Sequence, residues 1–230
     1  MKKLRLALSK GEDMRFLSHL DYAQAVERMI RRAAIKMAYS EGFNPHMKIS
    51  FSSALALGIT ADVEYLDMDI IEDLTVADVK ERLNQVAPPG LQVLDGREMP
   101  DRVKKLMAIC NYAVYEVSGP VTAEADWASL LQPFNEATEI AYEKVTPKKT
   151  RTIDVKHFVK EPITARVEGD RVILTMGIGI YPEGTMKPGD VWQLGREKYG
   201  WPVTDGYSIH RQTIMVERDG QLISPLEVTV

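Results

Sequence analysis

Lys36–Ser53 reads KMAYSEGFNPHMKISFSS. Two strand-like runs, Lys36–Ser40 and Met47–Ser52, are joined by Glu41-Gly42-Phe43-Asn44-Pro45-His46. Asn-Pro and the glycine mark a turn whose backbone is set by residue type. A connector can turn without an acid, an aromatic, an amide or an imidazole, and this one carries all four. Binding residues concentrate on loops held by a rigid scaffold, so these six residues are the expected functional loop. In the second run Ser50 and Ser52 alternate with Ile49 and Phe51, giving one polar strand face that includes Lys48.

Upstream of this stretch, Ser18 is placed as a helix N-cap, with Asp21 at the capping-box position. The helix is predicted to run to about Ala34, with Tyr22, Val26, Met29, Ile30 and Ala33 inward. Arg28, Arg31 and Arg32 cluster on its outer side, as a solvated face or a phosphate-contacting ridge. Before the helix, Leu4, Leu6 and Leu8 alternate as a half-buried strand, and Met14–Leu17 reads as extended chain after a turn. Downstream, Glu64–Ile71 alternates acids with Leu66, Met68 and Ile70, a strand with one solvated face. Thr75 caps a second helix with Asp78 at the box position, Pro88-Pro89-Gly90 ends it, and Leu91–Leu94 is a strand. The order β, α, β, β, α, β is the ferredoxin-like pattern, in which one sheet carries both helices on one face.

Gly96–Lys105 is polar and reads as a linker. A second pass follows: strand Ile109–Val117, then helix Ala123–Asn135, which Pro133 should kink or end. Glu139–Val145 and Thr152–Val159 are strand-like, and Ile163–Val167 with Arg171–Ile178 form a hairpin. Pro188 opens a helix to about Tyr199, and Tyr207–Val216 and Leu222–Val228 close the chain. The expected fold is α+β: tandem ferredoxin-like (βαββαβ) domains with antiparallel sheets, residues 1–98 carrying the loop and residues 106–230 the second domain.

Hydrophobic content of 45% and charge of 27% fit a folded globular chain. No run approaches the roughly 18 apolar residues of a membrane span, and MKKLRLALSK lacks the core of a signal peptide. The expected location is cytoplasmic, with no membrane. The single cysteine, Cys110, excludes an intrachain disulfide and a cysteine-ligated iron–sulfur cluster, and its apolar run suits a core residue. His19, His46, His157 and His210 show no metal-ligand spacing, so no metal is expected. Gly177-x-Gly179 lacks the context of a dinucleotide fingerprint and reads as a hairpin end or bulge. The net charge of −4 argues against a basic coat protein. Even so, Lys and Arg outnumber Asp and Glu over residues 1–50. A second basic stretch holds Lys144, Lys148, Lys149, Arg151, Lys156 and Lys160 against Asp154 alone. Such patches can bind phosphates on an acidic protein.

Arg15-Phe16-Leu17-Ser18-His19-Leu20-Asp21, followed by Ala38–Phe51, resembles the radical-SAM-linked protein family of bacteria. Gly58, Glu64-Tyr65-Leu66-Asp67, Lys149-x-Arg151-x-Ile153-Asp154 and the Pro188 helix extend the likeness. Met47 departs from it, since the family commonly has proline there. The resemblance implies a domain fused to, or encoded beside, a radical SAM protein with a B12-binding domain, and gene neighbourhoods that point to RNA. SAM, the iron–sulfur cluster and B12 are then expected only in the partner, which agrees with the lone cysteine.

His19 and His46, with Tyr39, Glu41 and Lys48, could gather at one end of the sheet. An imidazole titrates near neutrality and can act as acid or base on an RNA 2′-hydroxyl. They could equally contact ligand, or serve structure, His19 at a helix start and His46 in a turn. Phe43 either stacks on a base or plugs back into the core. The expected ligand- or RNA-binding residues are Arg15, His19, Arg28, Arg31, Arg32, Tyr39, Glu41, Phe43, Asn44, His46, Lys48, Lys149 and Arg151. No catalytic residue is assigned; His19, His46 and Tyr39 are the candidates. The leading function is a non-catalytic RNA-binding (tRNA or rRNA) or substrate-presenting partner of a radical SAM/B12 enzyme. One alternative is a metal-independent endoribonuclease resembling CRISPR repeat-processing enzymes in architecture. The other is a structural subunit docking through the acidic Asp62–Glu81 face and the basic Lys144–Lys160 stretch.

Overall fold

The computed structural model describes residues 1–146 and 149–228, with the side chains of all of these except 144–146 and 149. The chain forms two compact units, Met1–Asn111 with Thr213–Val230, and Tyr112–Gln212. The last residues therefore return to the first unit, where a cut at 98/106 would leave them in the second.

The first unit runs β1 (Lys2–Lys10), α1 (His19–Arg32), β2 (Ile49–Phe51), β3 (Ile59–Ile70), α2 (Val76–Gln85), β4 (Leu91–Met99) and a single-turn α3 (Leu106–Ile109). β1 pairs antiparallel with β3 and β4, and β2 pairs antiparallel with β3. The spatial order β4-β1-β3-β2 is that of a ferredoxin-like sheet. Both helices start where a side chain satisfies a free amide. Ser18 Oγ accepts from the Asp21 amide, and Thr75 Oγ1 accepts from the Asp78 amide while the Asp78 carboxylate accepts from the Thr75 amide. Leu4, Leu6 and Leu8 of β1 meet Val26, Met29 and Ile30 of α1 and Val79 and Leu83 of α2 in one buried cluster. Cys110 is buried.

The second unit runs β5 (Tyr112–Pro120), α4 (Trp127–Glu136), β6 (Ala141–Thr146), β7 (Lys149–Asp154), α5 (Val155–Phe158), β8 (Thr164–Glu168), β9 (Arg171–Tyr181), β10 (Gly184–Thr185), α6 (Pro188–Tyr199) and β11 (Ser208–Arg218). β9 pairs antiparallel with β5 and β8, and β11 lies beside β5, so the order β8-β9-β5-β11 repeats the first unit's. β6 and β7 form a separate two-stranded sheet. Gly200, at φ 66°, ends α6 in the left-handed conformation that glycine adopts freely. From Thr213, β11 belongs to the first unit, where β12 (Gln221–Ile223) pairs with it.

The tandem α+β ferredoxin-like architecture holds, and several local expectations do not. Lys36–Ser40 is not a strand; it meets its neighbours through the isolated bridges Met37–Ile70 and Tyr39–Met47. Met14–Leu17 is not extended: Glu12–Met14 is a 3-10 turn. Gly96–Met99 is no linker, because β4 continues through it with Gly96 opposite Leu6 and Met99 opposite Lys3. Thr152–Val159 ends its strand at Asp154, whose carboxylate accepts from the Lys156 amide and starts α5. Pro133 sits inside α4 without ending it. Three of the acids of β3 do not face water: Glu64, Asp67 and Asp69 are buried, while Asp62 is exposed.

Candidate functional site: the Glu41–His46 loop

Every residue from Glu41 to His46 is exposed, and Phe43 is 106% exposed, as open as a side chain in an extended peptide. The core therefore does not receive Phe43, and the outward alternative stands. The loop is tied at its neck. The Ser40 amide donates to the His46 carbonyl at 2.8 Å, and the His46 amide donates back to Ser40 Oγ at 3.0 Å. Below the neck, the Lys48 amide donates to the Ala38 carbonyl at 2.8 Å and the Asp69 amide to the Lys48 carbonyl at 3.0 Å, anchoring both arms on β3. Met47, where the resembled family commonly has proline, is buried in the first unit's core and so anchors the arm by packing. Gly42 takes φ 119°, a region closed to most side chains, which lets the chain reverse at the tip.

Among the described residues, no side-chain hydrogen bond, ion pair or ring contact joins the members of the expected set to one another. His19 is the first residue of α1, and its ring meets Phe51 edge-on at 5.4 Å between centroids. Burial holds its pKa below the ordinary value of 6.5, and the charge of Lys10 adds to the effect. His46 is exposed at the loop neck. Among the described residues, no hydrogen bond, ion pair or ring contact joins the two imidazoles. Tyr39 is 45% exposed beside the neck. Arg15 is occupied in holding a turn: its Nε donates to the Gly58 carbonyl at 3.0 Å, and its guanidinium lies 5.5 Å from the Phe16 ring.

The arginine ridge is exposed but partly engaged. Arg31 pairs with Glu27 at 3.1 Å and Arg32 donates to the Val86 carbonyl at 2.8 Å, while Arg28 remains open on the surface. In the second basic stretch Arg151 is exposed and sits opposite Lys144 in the β6–β7 register. Lys148, and the side chains of Lys144 and Lys149, lie outside the described residues. Among the described residues no cluster of His, Cys, Asp or Glu is arranged to hold a metal, and no helix is long and apolar enough to cross a membrane. An iron–sulfur cluster does not fit this chain, whose one cysteine is buried.

Sequence reading missed the groups on the reverse face of the first sheet. Arg5 is fully buried; its Nε and one Nη donate to the two Asp67 oxygens at 2.7 and 3.0 Å, and it also donates to the Pro225 and Lys104 carbonyls. Lys3 Nζ donates to Asp69 at 2.5 Å. The local signal was period-two charge in both strands, Lys3 and Arg5 in one and Asp67 and Asp69 in the other. Also missed was the cluster in the second unit where His157 pairs with Glu183 at 2.8 Å and lies 4.8 Å from the Tyr181 ring.

Residues 3–188 match a family described as "Uncharacterized protein conserved in bacteria (DUF2344)". The chain belongs to that family. The match spans all of the first unit's helices and the loop, and stops at the start of α6. No curated protein matches the sequence. Among solved structures, a chain from the crystal structure of a Cbf5-Nop10-Gar1 complex is 11% identical with a TM-score of 0.48. That match covers 97% of this chain but 52% of the other, so the family member spans about half the length of its neighbour. An unknown protein from Galdieria sulphuraria is 10% identical at a TM-score of 0.26, covering 94% of this chain and 99% of that one. A protein titled "An RAMP protein binding different RNA substrates" is 10% identical at 0.23, covering 91% and 99%. Likeness at these levels carries no statement about activity.

Proposed function

We propose that this chain is a non-catalytic RNA-binding module that presents substrate to a radical SAM/B12 enzyme. The observation that carries the binding half is Phe43, wholly exposed at the tip of a loop whose neck is pinned by two reciprocal hydrogen bonds. An exposed aromatic on a fixed loop pays little ordering entropy when it stacks on a base. Asn44, His46 and Glu41 beside it offer donors and acceptors to base edges, and Lys48 and Arg28 offer charge to phosphates. The lack of a hydrogen bond between His19 and His46 among the described residues supports recognition over acid–base cleavage, since a general base and its partner need hydrogen-bond reach. The burial of Glu64, Asp67 and Asp69 takes three of the eight acids of Asp62–Glu81 out of the surface that a purely structural docking role would use.

The choice of partner rests on the resemblance carried by Arg15–Asp21 and Ala38–Phe51, with SAM, cluster and B12 held by that partner. The test is binding of single-stranded RNA by the purified chain, together with co-purification from cells. Phe43→Ala is expected to weaken RNA binding by about tenfold, the low end of what one stacked base contributes, with no change in thermal stability. Absence of RNA protection would overturn the RNA reading, and absence of a radical SAM protein in the pull-down would overturn the partner. RNA cleavage without added metal, lost in His46→Ala, would turn the assignment to an endoribonuclease.

A further inference from the structure

A strand layer covered on both faces is normally apolar on both. The first unit departs from this. Its helix-facing side is Leu4, Leu6, Leu66 and Met68, while its reverse side carries Lys3, Arg5, Asp67 and Asp69. These four charges cancel in register: Arg5 faces Asp67, and Lys3 faces Asp69. Both carboxylates are spent on internal cations and nearly buried, with side chains 7% and 10% exposed.

A cavity of about 430 Å³ opens on this face. Besides the matched charges it is lined by Lys48 and Lys105. Among the described residues no acid lies within ion-pair distance of either. Ser50 adds a hydroxyl, and Val103 adds apolar wall. The volume lies in the range of about 300–1,000 Å³ typical of small-molecule sites, and apolar walls with a few fixed polar groups are their usual lining. Two uncompensated ammonium groups on one cavity are best matched by a dianion. A phosphate monoester carries about −1.5 to −2 at neutral pH, whereas a carboxylate carries one charge and would leave the second lysine unmatched.

We propose that this cavity binds a phosphate monoester, held by Lys48 and Lys105, with the attached group against Val103. The monoester belongs to a nucleotide or to the phosphorylated end of an RNA strand. The inference stands on the cavity and its charge balance, so it does not depend on what Phe43 contacts.

Calorimetric titration of the full chain with AMP, adenosine, a 5′-phosphorylated oligoribonucleotide and its 5′-hydroxyl twin tests it. AMP is expected to saturate while adenosine does not, and the phosphorylated strand is expected to bind more tightly than its twin. Lys105→Ala is expected to weaken phosphate-dependent binding about tenfold, and Lys105→Arg to retain most of it. Lys105 is exposed and N-terminal to one turn of helix, so the variant keeps the fold, which circular dichroism verifies. Saturation by the phosphorylated strand alone, with the same loss in Lys105→Ala, supports the RNA end as the source. If neither phosphate-bearing compound saturates, if adenosine binds as well as AMP, or if Lys105→Ala binds like the parent, the proposal is overturned.

Discussion

The two units share one topology and depart from it at the same place, between the first helix and the second strand, but they fill that insertion and their cores differently. In the first unit residues 33–48 fold back onto β3 through the isolated bridge Met37–Ile70, close on themselves through Tyr39–Met47, and leave Glu41–His46 exposed. In the second, residues 137–163 build their own hairpin, β6–β7, and the turn of helix α5. The first core is aliphatic and methionine-rich, with Met14, Met29, Met37, Met47 and Met68 buried together. The second holds Trp127, Trp192 and Trp201 in one cluster. Its aromatics lie over glycines: a Cβ at Gly195 would collide with the Trp201 ring, and one at Gly119 with Trp192. The same strand order can thus be held by flexible side chains and matched charges in one unit, and by rigid rings in glycine notches in the other.

The largest effect that would break this comparison is expected from Arg5. Its guanidinium is fully buried and pairs in bidentate fashion with Asp67, 62 residues away. Arg5→Ala leaves a buried carboxylate alone, a loss of about 3–5 kcal/mol. The double variant Arg5→Met/Asp67→Leu should recover most of it, since apolar groups of similar volume replace such pairs at little cost. Hydrogen exchange localised to β1 and β3 measures this better than a single melting temperature, because two units need not unfold together. Unchanged protection in Arg5→Ala would remove the ion pair from the account of the first unit.

Next in size is Gly195→Ala. The new methyl forces Trp201 away from Phe134, whose ring centroid lies 5.7 Å off, and overpacking of this kind costs about 1–3 kcal/mol. The loss should appear in exchange of α4 and α6 and leave β1 unaffected. Equal loosening of both units would show that the cores are not separately packed.

Much of this arrangement was legible in the chain, and the failures have physical reasons. Ser18 with Asp21, and Thr75 with Asp78, announced both helix starts because capping is local. The β8–β9 hairpin was equally plain, being set by Glu168-Gly169-Asp170. β4 was cut short at Leu94 because Asp95–Glu98 is polar, and an edge strand needs pairing rather than apolar residues to continue. The acids of β3 were assigned to water because their partners on β1 are more than sixty residues distant, beyond any periodicity window. The loop's position was readable from residue type, whereas the direction of Phe43 was not, since either direction suits Asn-Pro turn chemistry. The cavity beside Lys48 could not be seen at all, because Lys105 reaches it from a segment that reads as linker.

A smaller test concerns the helix starts. The first unit's α2 carries a complete capping box, and the second unit's α6 opens on Lys187 with no side-chain cap and Pro188 at its first position. Thr75→Ala should cost about 1 kcal/mol. Urea unfolding followed at the first unit measures it, and a loss below a few tenths would mean that burial of Val79 and Leu83 alone fixes the helix.

The smallest expected effect is a pH dependence from His19. Its folded pKa lies below 6.5 because burial, and then the charge of Lys10, disfavour the imidazolium. As pH falls through 6.5, the unfolded chain takes up this proton before the folded one, so the unfolded state binds more protons and stability falls with pH. Above 6.5 both states are neutral at this site and the stabilising difference is fully present; below the folded pKa both are charged and the loss levels off. His19→Gln removes the step. The difference between parent and variant unfolding free energies, followed from pH 7.5 to about pH 5, isolates His19 from the other histidines and the carboxylates. A parent whose stability rises on acidification relative to His19→Gln would place the charged imidazolium in a favourable site. The edge-on contact with Phe51 would then have to be read as a cation held against a ring, and the start of α1 as a place that welcomes charge rather than one that packs.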